Sequence, residues 1–422
     1  MKKRRQMMNN RLFLVFIAAL LSASLIIAAF AGCSSTDPKS YSSKRMVAST
    51  DVGNNRIGII YVGDELEGWT AAHMNGVRKA IEKLNITDDQ IIEAFNVPED
   101  ETVYKTCVSL IDQGCSLIFA TSYAFEDYVI KAARDYPDVQ FCHCSGIKAK
   151  EAGLSNYHNY FDRIFEARYV SGVAAGMELA ELIRKDMIKK PKVGYVGAFP
   201  YAEVISGYTA FFLGVKSIVP DATMEVRYSG AWTDLRSDYR TAQKLIDDGC
   251  VLLSQHSDTA GPAYVCQDNH VPFVGFNIDM TSIAPDTAIT SPTNDWSRYY
   301  EYAIRSFLNK EPIKTDWTGG YAEHIVGTTA LGKEAAPGTE EAMEKAKEDI
   351  ISGKLHVFDT ENFTVNGKHI SEDLTDDNGN KMFDGGYYHE GELRSAPSFD
   401  LMIDGISEVI EKKNLKLFGK NG

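Results

Sequence analysis

A chain of 422 residues with 44% hydrophobic composition can bury more than one sizeable core. Its formal net charge of −14 excludes nucleic acid as a partner, because phosphate binding needs a basic surface. The charge does not exclude a membrane-anchored protein, since a lipid anchor needs no cationic face.

The N-terminus carries Lys2, Lys3, Arg4, Arg5 and Arg11, then an apolar stretch from Leu12 to Ala31. Gly32-Cys33 and the small polar run Ser34-Ser35-Thr36 follow. This is the pattern of a bacterial lipoprotein signal, with Phe30-Ala31-Gly32-Cys33 as the lipobox and Phe30 where Leu is usual. It implies a signal peptide over 1–32, a lipidated Cys33, and a Ser/Thr/Lys-rich tether to about residue 55. The mature chain would sit on the extracytoplasmic face of the cell membrane. An ordinary signal peptide or a short membrane anchor is the plainer alternative.

From residue 57 the pattern alternates. Strands are expected at 57–62, 91–95, 116–120 and 139–144, with helices at 70–84, 99–113 and 124–135 between them. Tyr157–Phe161 reads as extended. A helix over 162–185 carries Ala167, Val170, Gly172, Ala174, Ala175 and Gly176, small residues suited to close packing against a sheet. The second half repeats the first, with strands at 193–197, 224–229, 251–254 and 272–276 and helices at 204–218, 235–248 and 260–269. One fragment recurs almost unchanged. Leu110-Ile111-Asp112-Gln113-Gly114-Cys115 returns as Leu245-Ile246-Asp247-Asp248-Gly249-Cys250, a spacing of 246 − 111 = 135 residues. A short strand at 288–291, helices at 299–308 and 338–352, and a hairpin turn at Asn378-Gly379 complete the chain.

Strands alternating with helices give an α/β fold of parallel sheets. Two similar units give two lobes, drawn here as 56–160 plus about 281–330, and 161–280 plus about 331–422. Ligands of open parallel sheets bind beyond the carboxyl ends of the strands, so the cleft between the lobes is the expected site.

Six cysteines lie beyond Cys33, at 107, 115, 142, 144, 250 and 266. The even count permits disulfides in an exported chain, but no pairing follows from spacing. Cys115 and Cys250 occupy equivalent repeat positions and read as small core residues. Cys142-His143-Cys144 lies on a strand, so the cysteines share one face and His143 takes the other. No second ligand pair follows, and no metal is expected.

The loops at the strand ends combine aromatics with carboxylates, which suits a flat ligand with a polar edge. Enzyme signatures are missing. Gly58, Gly63 and Gly68 do not make a dinucleotide fingerprint, and neither a Gly-x-Ser-x-Gly elbow nor His-Glu-x-x-His occurs. An enzyme would have to use His256, Asp258 or Glu166, and no nucleophile accompanies them. No cofactor is implied.

Several segments together resemble a known group: Gly68-Trp69-Thr70-Ala71-Ala72-His73, Tyr160-Phe161-Asp162-Arg163-Ile164-Phe165-Glu166, Val193 to Pro200, Gln255-His256-Ser257-Asp258 and Thr290-Ser291-Pro292. The group is the basic membrane protein family, substrate-binding lipoproteins of bacterial ABC importers that include purine-nucleoside binders. The resemblance implies a type I periplasmic-binding-protein fold, two Rossmann-like lobes joined by three crossovers. It also implies a monomer without turnover chemistry that hands its ligand to an ABC permease. Carried onto this chain, Trp69 would stack on a purine base, with Trp232 as a second stacking residue. Phe125, Tyr160 and Phe199 would wall the pocket, Tyr123 would add a polar edge, and Asp258 and Asp279 would accept from ligand N–H or hydroxyl groups. Asn294 stands near the place where nucleoside binders of the family often carry Lys. Gly68-Trp69-Thr70 replaces the Asp-x-x-x-Phe-Asn loop those binders favour. Both departures put ribose contacts in doubt and favour a purine base, with a nucleoside next; the subgroup with a Gly-Trp-Thr loop and a Gln-His-Thr-Asp loop, which these segments resemble most, is associated with bases such as adenine. Sugar sites also use Trp with Asp and Asn, so a sugar or another small signal molecule stays open as ligand. A surface lipoprotein without a transport role stays open as well.

Overall fold

The computed structural model describes residues 56–370, 374–375 and 379–410. The expected signal peptide, Cys33 and its tether, and the turn residue Asn378 lie outside the described residues. In the first half, strands β1 (Arg56–Ile60), β2 (Ile91–Ala94), β3 (Cys115–Ala120), β4 (Gln140–His143) and β5 (Tyr157–Asp162) alternate with helices α1 (Gly68–Leu84), α2 (Thr102–Asp112), α3 (Glu126–Asp135) and the single turn α4 (Ala149–Ala152). Helix α5 (Ile164–Arg184) leads to the second half: β6 (Lys192–Gly197), α6 (Ala202–Ile218), β7 (Thr223–Tyr228), α7 (Leu235–Asp247), β8 (Leu252–His256), α8 (Gly261–Asn269), β9 (Phe273–Val274) and β10 (Ala288–Thr290). The remainder holds β11 (Pro292–Asn294), α9 (Ser297–Leu308), β12 (Asp316–Gly319), β13 (Val326–Thr328), α10 (Thr339–Ile351), the hairpin pair β14 (Phe383–Asp384) and β15 (Tyr387–Tyr388), and β16 (Ile406–Val409).

Two six-stranded sheets result, and both are parallel. The first runs β12-β5-β4-β3-β1-β2 and the second β10-β9-β8-β6-β7-β16. Five strands of each have the same order, with the first strand of the unit between its second and third. Burial on both faces accounts for the near-continuous apolar runs, such as Ile57, Ile59 and Ile60 of β1.

The repeated hexapeptide marks equivalent corners of the two lobes. Gly114 and Gly249 adopt φ of 90° and 88°, a conformation that favours glycine, and turn the chain from helix into strand. The cysteine that follows packs against a strand glycine in both lobes. A Cβ built on Gly58 would stand 3.3 Å from Cys115 Sγ, and one on Gly194 would stand 3.2 Å from Cys250 Sγ. The six described cysteines are all buried free thiols.

The small residues of α5 serve a different partner from the sheet that the sequence suggests. They meet helix α6. A Cβ on Gly172 would stand 2.0 Å from Phe211 O, and one on Gly214 would stand 2.1 Å from Tyr169 O. The two helices pack backbone against backbone, which only residues without side chains allow.

The chain passes between the sheets three times: from β5 to β6, from β10 to β12, and from β12 toward β16. Thr290 still belongs to the second sheet, so the return to the first lobe begins after residue 290 rather than near 281. On the second and third passages β11 and β13 pair antiparallel, Pro292 opposite Thr328, forming a two-stranded ribbon at the crossing. Strand carboxyl ends of both sheets face the space between the lobes.

Candidate ligand-binding cleft

The interlobe space is a cleft of about 910 Å³. From the first lobe, the loop after β1 brings Asp64, Glu67 and Trp69, and the loop after β3 brings Ser122 and Tyr123. From the second lobe, the loop after β6 brings Phe199 and Tyr201, and the loops after β7 and β8 bring Trp232 and Asp258.

Local structure fixes Trp69. Glu67 caps helix α1, its Oε1 accepting from Trp69 N–H at 2.7 Å and its Oε2 from Thr70 N–H at 2.8 Å. The Trp69 indole N–H donates to Thr121 O at 2.7 Å, and its ring meets His73 edge-on at 4.5 Å. The ring is therefore held before any ligand arrives. In the opposite lobe Phe199 stacks on Tyr201 with centroids 5.2 Å apart, and Trp232 tilts against Phe199 at 5.6 Å. Tyr123 and Tyr201 are 51% and 50% exposed, so a ligand entering the cleft would cover them.

Asp258 is tied into this wall. Its N–H donates to Trp232 O at 2.8 Å, and its Oδ1 accepts from Asn277 Nδ2 at 2.9 Å. Burial, then the nearby carboxyls of Glu67, Glu203 and Asp238, push the Asp258 carboxyl well above its ordinary value. Burial also raises Glu67, and it pushes Glu203 up to about 7 against the pull of Arg168. Arg168 lies fully buried in the second lobe, donating from Nη1 to Gln255 O at 2.8 Å with its guanidinium 3.7 Å from the centre of the Phe276 ring. A carboxyl held against ionisation by burial and like charges gains from a ligand that offers it N–H donors.

The structure thus brings Trp69, Tyr123, Phe199, Trp232 and Asp258 to one cleft. The other expected contacts lie elsewhere. Phe125 is fully buried in the first-lobe core with Val129 and Phe141. Tyr160 is fully buried and stacks on Tyr299 at 3.7 Å, because its side of β5 faces α9. Asp279 is exposed and turns back on its own loop, its Oδ1 accepting from Thr281 N–H at 2.8 Å. Asn294 stands on the crossing ribbon and donates from Nδ2 to Asp162 Oδ2. Of the residues an enzyme would need, His256 and Glu166 do not line the cleft. His256 is the last residue of β8, fully buried, and burial holds its imidazole well below the ordinary value and so neutral. Glu166 accepts from Arg163 Nε at 2.6 Å and from Tyr321 N–H at 2.8 Å. His143 bonds Ser122 O at 2.7 Å and Tyr157 OH at 3.1 Å. Among the described residues no group of three or more His, Cys, Asp or Glu could hold a metal ion.

Sequence reasoning missed Glu67, Tyr201, Glu203 and Phe276, which also line the cleft. Glu67 carried a signal, a helix-capping carboxylate directly before Gly68-Trp69-Thr70. Residues Arg394, Ala396 and Pro397, which line the cleft from far along the chain, carried none.

Comparison with known proteins places this geometry. Residues 56–361 match the family described as ABC transporter substrate-binding protein PnrA-like. A purine-binding protein of Brucella abortus is 33% identical over 306 residues, covering 72% of this chain and 83% of that protein. A putative ABC transporter glucose-binding protein of Haloferax volcanii is 28% identical, covering 69% of this chain and 70% of that protein. Among solved structures, a solute-binding protein of an ABC transporter system from Aeropyrum pernix superposes with a TM-score of 0.60. It has 15% identity and covers 72% of this chain and 93% of that one. The fold is that of type I periplasmic solute-binding proteins. The chain belongs to the PnrA-like, or basic membrane protein, family of ABC transporter substrate-binding proteins, a non-enzymatic family.

Proposed function

We propose that this protein captures a purine in its interlobe cleft, preferring an adenine-like base, and delivers it to an ABC permease. In this reading it acts as a monomer held to the outer face of the cell membrane by a lipid on Cys33. The carrying observation is a cleft with aromatic rings on both lobes and the half-buried carboxyl of Asp258 in its second-lobe wall. Trp69 and Trp232 stack on the faces of the base, and each stacked ring contributes about 1–3 kcal/mol. Asp258 accepts from the exocyclic amino group or a ring N–H. Five lining residues carry carboxyls (Asp64, Glu67, Glu99, Glu203 and Asp258) and one, Arg394, carries a positive charge. That balance repels phosphate, so nucleotides are rejected while bases and nucleosides are admitted. The name of the Brucella relative supports a purine, whereas the Haloferax name favours a sugar as the second reading. Closure of the lobes about the β11–β13 ribbon buries the ligand and presents a shape the permease can read.

A thermal-shift panel on the soluble form, residues 34–422, tests this reading. Ligand at 100 times its dissociation constant adds about 2.7 kcal/mol of stability. Adenine should raise the melting temperature, adenosine less, and AMP not at all. A response to glucose or ribose alone would replace the purine with a sugar.

A further inference from the structure

The family match ends at residue 361, yet the cleft contains residues from well beyond it. Residues 390–399 form a strap that touches both lobes. Its two ends are tied to each other, and the far one packs on Phe358. Glu390 is buried, its Oε2 accepting from Ser398 N–H, Ser398 Oγ and Phe399 N–H at 3.0, 2.9 and 3.0 Å. Phe399 is fully buried and stacks on Phe358 at 4.4 Å. Its middle reaches the first lobe. Ser395 N–H donates to Asp316 Oδ1 on β12 at 3.1 Å, and Lys150 Nζ of α4 donates to Leu393 O.

Between those attachments stands Arg394. Its Nε and Nη2 donate to Ala396 O and Pro397 O of the same strap, at 3.3 and 3.0 Å, which fixes the guanidinium plane. Its Nη1 makes no hydrogen bond among the described residues. Arg394 is also the one cationic side chain among the residues lining an otherwise acidic cleft. A guanidinium braced on two sides in such a place is a preorganised donor for acceptor atoms.

We propose that the strap completes the ligand site and that Arg394 is a specificity-determining residue, donating to an acceptor edge of the ligand such as a ring nitrogen, carbonyl or hydroxyl oxygen. The carboxyls then read the donors of the ligand and Arg394 reads its acceptors. Because the strap bridges both lobes, it also senses their closure. The proposal rests on the cleft being the purine site.

The test compares wild type, Arg394→Gln and Asp316→Ala in adenine and adenosine titrations, with melting of the ligand-free proteins as control. Arg394→Gln should weaken binding about tenfold or more, the size of a lost charge-assisted hydrogen bond. Asp316→Ala, which removes one of the strap's two hydrogen bonds to the first lobe, should weaken it by a smaller factor. In wild type, ligand should slow amide hydrogen exchange across residues 392–397. Wild-type affinity in Arg394→Gln, with no exchange protection of the strap, would overturn the proposal while leaving the cleft assignment standing. Failure of wild type to bind either purine would overturn the cleft reading, and the strap proposal with it.

Discussion

Asp258→Asn should move stability and affinity in opposite directions. In the ligand-free protein the Asp258 carboxyl is partly buried, faces Glu67, Glu203 and Asp238, and receives its side-chain hydrogen bond from Asn277. Its folded pKa is raised, so it contributes stability at low pH and loses it as pH rises from its unfolded value near 4 toward the folded one. Asn keeps the shape and an acceptor for Asn277 Nδ2 but removes the charge. The ligand-free variant should gain on the order of 1 kcal/mol at pH 8, or roughly 2 °C in melting temperature, and almost nothing at pH 4. Purine binding should weaken by roughly 10- to 100-fold, the 1.5–3 kcal/mol of a hydrogen bond to a charged acceptor. Paired thermal melts and calorimetric titrations at both pH values read the two effects separately. A variant that melts lower and binds as before would refute the reasoning, since Asp258 would then be a structural residue with no ligand to serve.

Trp232→Ala should cost about 1–3 kcal/mol of purine affinity in a calorimetric titration, with little change in ligand-free melting because the ring is partly exposed. Gly172→Ala drives a Cβ to within 2.0 Å of Phe211 O and should lower stability by about 1–3 kcal/mol in denaturant unfolding, forcing α5 and α6 apart. Burial pushes Asp162 up to about 7, so this carboxyl costs the ligand-free protein stability as pH rises from about 4 through 7. Asp162→Asn should flatten that decline in melts recorded across the same window. Cys33→Ala should move the protein from the membrane to the soluble fraction and abolish palmitate labelling.

Much of the fold was legible because its signals are local. The alternation of apolar runs with amphipathic segments gave the strands and helices of the two repeats to within a few residues, though not the edge strands β12 and β16, and the Gly114/Gly249 corners announced two equivalent units. The partner of α5 was not legible: a stripe of glycine and alanine says that something approaches closely, but a sheet and a helix leave the same mark. The site was read in part. Trp69, Tyr123, Phe199, Trp232 and Asp258 sit at strand ends, where the parallel-sheet rule directs ligand contacts. Phe125 obeys the same rule, yet its side chain turns into the first-lobe core; Tyr160, expected from the resemblance alone, lies inside β5 and turns to α9. Arg394 could not be found from sequence, because it reaches the cleft through a strap whose attachments, Asp316, Lys150 and Phe358, are tertiary.

The most direct test of the account is isothermal titration of residues 34–422 with adenine, adenosine, ribose and glucose, at one pH and one salt concentration. The account predicts a single adenine site per chain, weaker adenosine binding and no heat from either sugar. Saturable binding of glucose or ribose with no response to either purine would contradict it.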